Sequence, residues 1–289
     1  MATYYQPSGK FAPQGPILGL LMGAAVSVPA AFLYDYGIVS IPEAKLRGIC
    51  TLVFGALIGA LAGLGMSWGK VRNIVVAASV GFTASLFGLY LSWDAWVLHL
   101  IHPDRWLFNL VAPASHPHRL WQAMLAINTV GTWSFGSGSK PDHGVFLWIV
   151  WSAETLLMLG VGTLAAVAMV QRRPFCERCD QWCTQKSHLY FAPNFPGDQL
   201  KAQLESQNIA GLEKLTVGSK KQSHFRIDLH TCGNCHMLNT LSLYQNLPKN
   251  SHSLVNKLLI TPDQAAVIRN LALAHTSAPR PLPVPATSK

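Results

Sequence analysis

Charge is what this chain has least of. Only 12% of its 289 residues are Asp, Glu, Lys or Arg, about half of the roughly 25% found in an average soluble domain. The shortage is concentrated before residue 171, which argues against a water-soluble fold for that part. Cysteine is sparse too, and unevenly placed. Of the six, Cys50 stands alone in an apolar run, and the others cluster at 176, 179, 183, 232 and 235. That grouping excludes an evenly stapled secreted scaffold and favours metal or redox chemistry. The chain also lacks a phosphate-cradling nucleotide loop, a hydrolase triad signature and a metalloprotease helix. No run interleaves Arg with aromatic residues, so nucleic acid is not an expected partner. No cationic segment precedes a short apolar core near Met1, so a cleaved signal peptide is not expected.

In place of charge there are long apolar runs. Residues 1–16, with three Pro and two Gly, read as an irregular polar tail. Residues 17–34 carry no charge and are long enough to span a bilayer, with Pro29 as an expected kink. A polar loop is expected over 35–47. A second span follows over 48–66, with Gly55, Gly59 and Gly63 at intervals of four on one face. Small residues at that spacing let backbones approach closely. The short loop between spans one and two makes their mutual packing the expected use of the stripe, with a dimer interface as the alternative.

The third span, 74–101, would be about 42 Å long at 1.5 Å per residue. It exceeds the ~30 Å hydrocarbon core, so tilt or emergence at the far end is expected. The fourth runs over 145–170. Between them lies an amphipathic loop, 102–144. Seven of the nine Trp (93, 96, 106, 121, 133, 148 and 151) fall in or beside it, which predicts interfacial helices, one over 118–130. Near the span ends, one side carries six Lys and Arg (Lys10, Lys70, Arg72, Arg172, Arg173, Arg178) and the other five. Their density at the 67–73 turn and at Arg172–Arg173 favours both termini in the cytoplasm, hence an inner or plasma membrane protein. A reducing compartment would also preserve free thiols.

At residues 171–183 the chain changes character. The knuckle Cys176-Glu-Arg-Cys179 is answered by Cys232-Gly-Asn-Cys235. Two such pairs supply the four soft thiolates that tetrahedral zinc needs, with Cys183 and His236 as spare candidates. Alternating strands over 224–230 and 238–244 flank the second knuckle, so it caps a hairpin. Over roughly 176–245 the chain resembles a zinc ribbon, with a long insert between the knuckles. The resemblance implies metal binding and no activity. Within the insert, 198–206 has helical spacing; Thr261-Pro262-Asp263 starts a last helix, and a Pro-rich tail follows from 277.

The expected fold class is therefore an α-helical multi-pass membrane protein with four transmembrane helices and a small C-terminal α+β zinc-ribbon-like domain. Its parts are the tail 1–16, the membrane domain 17–170, the zinc domain 171–260, and a helix with tail, 261–289. From 171 on there are 14 Lys and Arg against 7 Asp and Glu. A four-thiolate zinc site adds only about −2, so anionic inner-leaflet headgroups are an expected partner beside the lipid bilayer. A protein partner or further copies of the chain complete that set. The expected function is an adaptor, scaffold or docking subunit of a membrane complex. The alternatives are a membrane enzyme or transporter, or a thiol redox protein built on the Cys-x-x-Cys pairs. The enzyme or transporter reading uses the intramembrane carboxylates Asp94 and Glu154. It would join them to His99, His102, His116, His118 and His143 around the outer loop as a metal or proton site.

Overall fold

Four apolar runs become four long helices in the computed structural model, which describes residues 2–41, 44–101, 116–132, 143–213, 215–216, 223–247 and 250–277. The helices are α1 (Gln14–Ser40), α2 (Ala44–Trp68), α3 (Ile74–Ile101) and α5 (Val145–Gln171), each long and apolar enough to cross a membrane. A shorter amphipathic helix, α4 (Pro117–Val130), stands between α3 and α5 in sequence. His102, Arg105, Trp106, Trp133 and the Pro-rich tail from 278 lie outside the described residues. The chain divides into two compact units, Ser8–Arg172 and Met1–Pro7 with Arg173–Lys289.

In the first unit, α1 packs on α2 and α3, and α5 closes against α2 and α3. The glycines decide which surfaces meet. A Cβ on Gly55 would come 2.7 Å from the Met158 carbonyl oxygen, and one on Gly63 2.8 Å from that of Ala166. Gly59 lies closest of all, against Gly162. The stripe on α2 therefore mates with α5, not with α1 as loop length suggested. A short connection makes two helices neighbours without choosing the face between them. The α1 glycines have their own use: Gly15 meets Gly69 and Val71, and Gly19 meets Met66 and Val80. The polar loop expected over 35–47 is mostly helix, because α1 runs on through Asp35 to Ser40. Asp35 is fully buried, and the contact of its Oδ2 with His99 at 3.0 Å offsets part of the cost of carrying the helix past it.

The second unit is a four-stranded antiparallel meander in the order β3 (Gln185–Phe191), β4 (His224–Thr231), β5 (Asn239–Asn246) and β6 (Ser251–Ile260). Two short strands, β1 (Phe175–Cys176) and β2 (Gln181–Trp182), form a separate hairpin. One sheet face carries Leu189, Phe191, Phe225, Ile227, Leu229, Leu241, Leu243, Val255 and Leu258, all buried. Onto it fold α6 (Gly197–Glu205) through Leu200 and Leu204, and the single turn α7 (Ala210–Glu213) through Leu212. The last helix, α8 (Pro262–Ser277), adds Ala265 and Ile268 to the same core. It belongs to this domain, although its sequence position suggested an appendage.

The N-terminal residues, expected as loose tail, are an element of this unit. The Tyr5 N–H donates to the Lys257 carbonyl and the Leu259 N–H to that of Thr3, both at 2.9 Å, and Tyr4 bridges Leu258. An edge strand has unpaired backbone groups to offer, and residues 3–5 take up two of those on β6. Tyr4 Oη also donates to Glu205 at 2.6 Å, and that bond above all pushes the phenol up to about 12.

Candidate metal centre

Each knuckle forms inside a tight hairpin turn. The first lies between β1 and β2, braced by the edge-on pair Phe175 and Trp182 across the strands, with ring centres 5.0 Å apart. The Cys183 N–H closes it by donating to the Pro174 carbonyl at 2.8 Å. The second lies between β4 and β5, where the Cys232 N–H donates to Leu238 at 3.0 Å and the His236 N–H to Cys232 at 3.1 Å. The residue after the second cysteine of each knuckle has a left-handed backbone: Asp180 at φ 50 and His236 at φ 55. Non-glycine residues adopt that conformation rarely. Its recurrence at matching places shows two turns of one local design.

These turns bring four sulfurs together. The Sγ atoms of Cys176, Cys179, Cys232 and Cys235 all lie within 4.8 Å of one another, and that of Cys176 is 3.6 Å from that of Cys235 in the opposite knuckle. Sulfurs about 2.3 Å from a common zinc stand about 3.8 Å apart in a tetrahedron. The donor set therefore fits a closed four-thiolate metal site. Cys183 is buried beside the group and His236 is exposed on its turn, and neither joins it. The paired Cys-x-x-Cys spacing already sets the four apart from these two, and the turn geometry agrees.

The thiols differ in acidity. Burial would push Cys232 up, but the Cys235 N–H, the Gln181 amide and the Asn234 N–H together bring it down to about 6. Cys235 is also lowered, chiefly by the Met237 N–H. Across the site, the hydrogen bond with Cys235 above all raises Cys179 to about 12, and burial raises Cys176. Burial likewise takes Cys183 to about 12. Cys232 thus offers a ready thiolate, while the first knuckle must release protons when a metal arrives.

Tyr5 supports the first knuckle. Its hydroxyl accepts the Phe175 N–H at 2.9 Å, one residue before Cys176. On the sheet face opposite the core, His188 Nδ1 lies 2.6 Å from Asp228, Arg226 Nε lies 3.3 Å from the same oxygen, and the guanidinium stacks on Tyr244 at 4.5 Å. Sequence reading passed over that group, because its members come from three strands. The alternation His188–Tyr190 and Arg226–Asp228 was the available signal.

In the membrane-type unit the carboxylates are separated. His99 Nδ1 lies 3.0 Å from Asp35 Oδ2, a pairing of α3 with α1, where Asp94 or Glu154 was the expected partner. Asp94 is fully buried, and neither of its carboxylate oxygens has a hydrogen-bond partner among the described residues. Glu154 lines a cavity together with Arg47 and does not share it with Asp94. His116 and His118 are exposed at the start of α4, and His143 precedes α5. Five of the Trp residues form a continuous cluster: Trp93, Trp96, Trp121, Trp148 and Trp151, with successive ring centres 4.9–5.5 Å apart.

No family model, curated protein or solved structure matches the chain.

Proposed function

We propose that this chain is an integral membrane protein whose extramembrane domain is held by one structural zinc ion, and that the domain acts as a docking or scaffold module of a membrane assembly. The observation that carries this reading is the closed shell of Cys176, Cys179, Cys232 and Cys235. Four protein thiolates leave no open coordination position for substrate, so the ion's contribution is to tie the two hairpins and stabilise the fold. A domain with 14 Lys and Arg against 7 Asp and Glu is drawn to anionic headgroups, which suits a surface held beside the inner leaflet.

Both termini are assigned to the cytoplasm. The Lys and Arg at the 67–73 turn and Arg172–Arg173 support this. The pairing of residues 3–5 with β6 supports a shared side for the two ends, since an even number of spans returns the chain to its starting side. An impermeant thiol reagent should label a Cys placed at His118 in intact cells, and one at Asn250 only after permeabilisation. The reverse pattern overturns the orientation.

Metal analysis of protein purified without chelator tests the zinc assignment, with about one zinc per chain expected. Two disulfides and no metal would replace this reading with the thiol redox one. One observation favours a membrane enzyme or transporter instead: Asp94 is buried without a hydrogen-bond partner among the described residues, as proton-carrying carboxylates are. Loss of a transport or growth phenotype in a folded Asp94→Asn variant would decide for it.

A further inference from the structure

Arg47 on α2 and Glu154 on α5 face a common cavity of about 590 Å³. That volume lies within the roughly 300–1,000 Å³ of small-molecule sites. Tyr34, Trp93, Trp96 and Trp151 form its aromatic wall, and Ala126 on α4 borders it. Arg47 Nε donates to the Ile41 carbonyl at 2.7 Å, which anchors the side chain. Among the described residues the Arg47 guanidinium makes no other hydrogen bond, while its carbonyl accepts from the Thr51 hydroxyl at 3.1 Å; Glu154 makes no hydrogen bond and feels only the charge of Arg47. Arg47 stands near the start of α2, but a carboxylate as far into an apolar helix as Glu154 is costly unless something satisfies it.

We infer that this cavity binds the headgroup of a zwitterionic phospholipid carrying a primary amine, with its phosphate at Arg47 and its ammonium at Glu154. The chemistry of the lining selects that class. An inorganic ion would need neither the volume nor the aromatic wall, and a sugar would need more hydrogen-bonding groups. A carbonyl-bearing quinone would satisfy Arg47 and be repelled by a carboxylate. An anionic lipid without an amine leaves Glu154 unanswered, and a trimethylated headgroup, although the aromatic wall attracts it, gives the carboxylate no hydrogen bond. Tyr34 and the Trp residues suit the headgroup level, where an amphiphile turns from polar to apolar. The inference rests on the membrane reading and is independent of zinc.

The test is native mass spectrometry of the full-length protein, delipidated in detergent and titrated with dioleoyl phosphatidylethanolamine, phosphatidylcholine or phosphatidylglycerol. One ethanolamine lipid per chain is expected, bound about tenfold more tightly than the other two, as a charge-assisted hydrogen bond allows. Arg47→Gln should weaken it about tenfold, and Glu154→Gln should erase the preference over choline. Ala126→Trp keeps both charges and fills the cavity, so it should block binding even if a charge variant fails to fold. Thermal melts check folding, and resistance to carbonate extraction checks membrane insertion separately. Equal binding of the three lipids, a preference for choline or glycerol headgroups, or wild-type selectivity in a folded Glu154→Gln or Ala126→Trp protein overturns the inference.

Discussion

Gly59→Ala tests the seam between α2 and α5 with one methyl group. The new Cβ would collide with backbone, the carbonyl of Gly162, and backbone cannot swing aside as a side-chain tip can. Carbon contacts settle near 3.5–4.0 Å, so the helices must part by roughly an ångström or more. Gly55 and Gly63 sit one turn away on each side and lose contact with α5 as it moves. Overpacking of this kind costs about 1–3 kcal/mol. Replacing Gly by Ala inside a helix returns about 0.8–1.0 kcal/mol of propensity, which blurs the single measurement. Gly160→Ala on α5 removes the ambiguity. Nothing lies within 4 Å of its would-be Cβ, so it receives the propensity gain alone. The difference between the two variants isolates the collision, and Gly160→Ala should melt higher by about 1–3 kcal/mol. In a unit of this size that is a gap of several degrees, at about 2–4 °C per kcal/mol. Thermal unfolding in detergent by circular dichroism measures it. Coincident midpoints would refute the reasoning and free the stripe for another partner, such as a second copy of the chain.

Cys232→Ser should release metal and loosen the C-terminal domain while the four helices remain inserted, as metal content and carbonate extraction would report. His236→Gly should keep full metal content and leave stability unchanged or slightly raised, since glycine favours the left-handed turn; loss of metal would make His236 a ligand. The metal-free domain should lose stability as pH drops through about 6, where the Cys232 thiolate takes up its proton, as thermal melts in chelator across pH would report. The sign follows from its lowered pKa: the contribution is complete above the ordinary thiol value and is lost as pH falls through the folded one. Tyr5→Phe removes the acceptor of the Phe175 N–H, and should speed metal loss to a chelator by roughly fivefold, for about 1 kcal/mol.

What was legible in the sequence was whatever is carried by local pattern. The ends of α3 follow from uninterrupted apolar residues, and α8 from Thr261-Pro262-Asp263. The knuckles announce themselves by spacing. The strand β6 does not. Leu241 pairs with Leu258 but Leu243 with Val255, so β6 carries an extra residue around Lys257, which has a positive φ of 56. The bulge puts Val255 and Leu258 on one face three residues apart and breaks the alternation that marks a strand. Asp35 was hidden for another reason. It looks like the start of a loop until His99, sixty-four residues on, is placed beside it. The partner of the α2 stripe was equally beyond reach, because the motif states that a close approach exists and is silent about which helix makes it.

The bridge between Tyr4 and Leu258 joins a segment that precedes all four apolar helices to one that follows them. Until the ribosome has delivered β6, residues 3–5 have no strand to pair with, and by then every apolar helix has been synthesised. A chain that inserted only three of its spans would leave Tyr4 and Leu258 on opposite faces of the bilayer. Its sheet would expose an unpaired edge, and Phe175 would lose the Tyr5 hydroxyl beside the first knuckle. Closing this edge of the sheet thereby depends on both flanks of the helical unit reaching the same side.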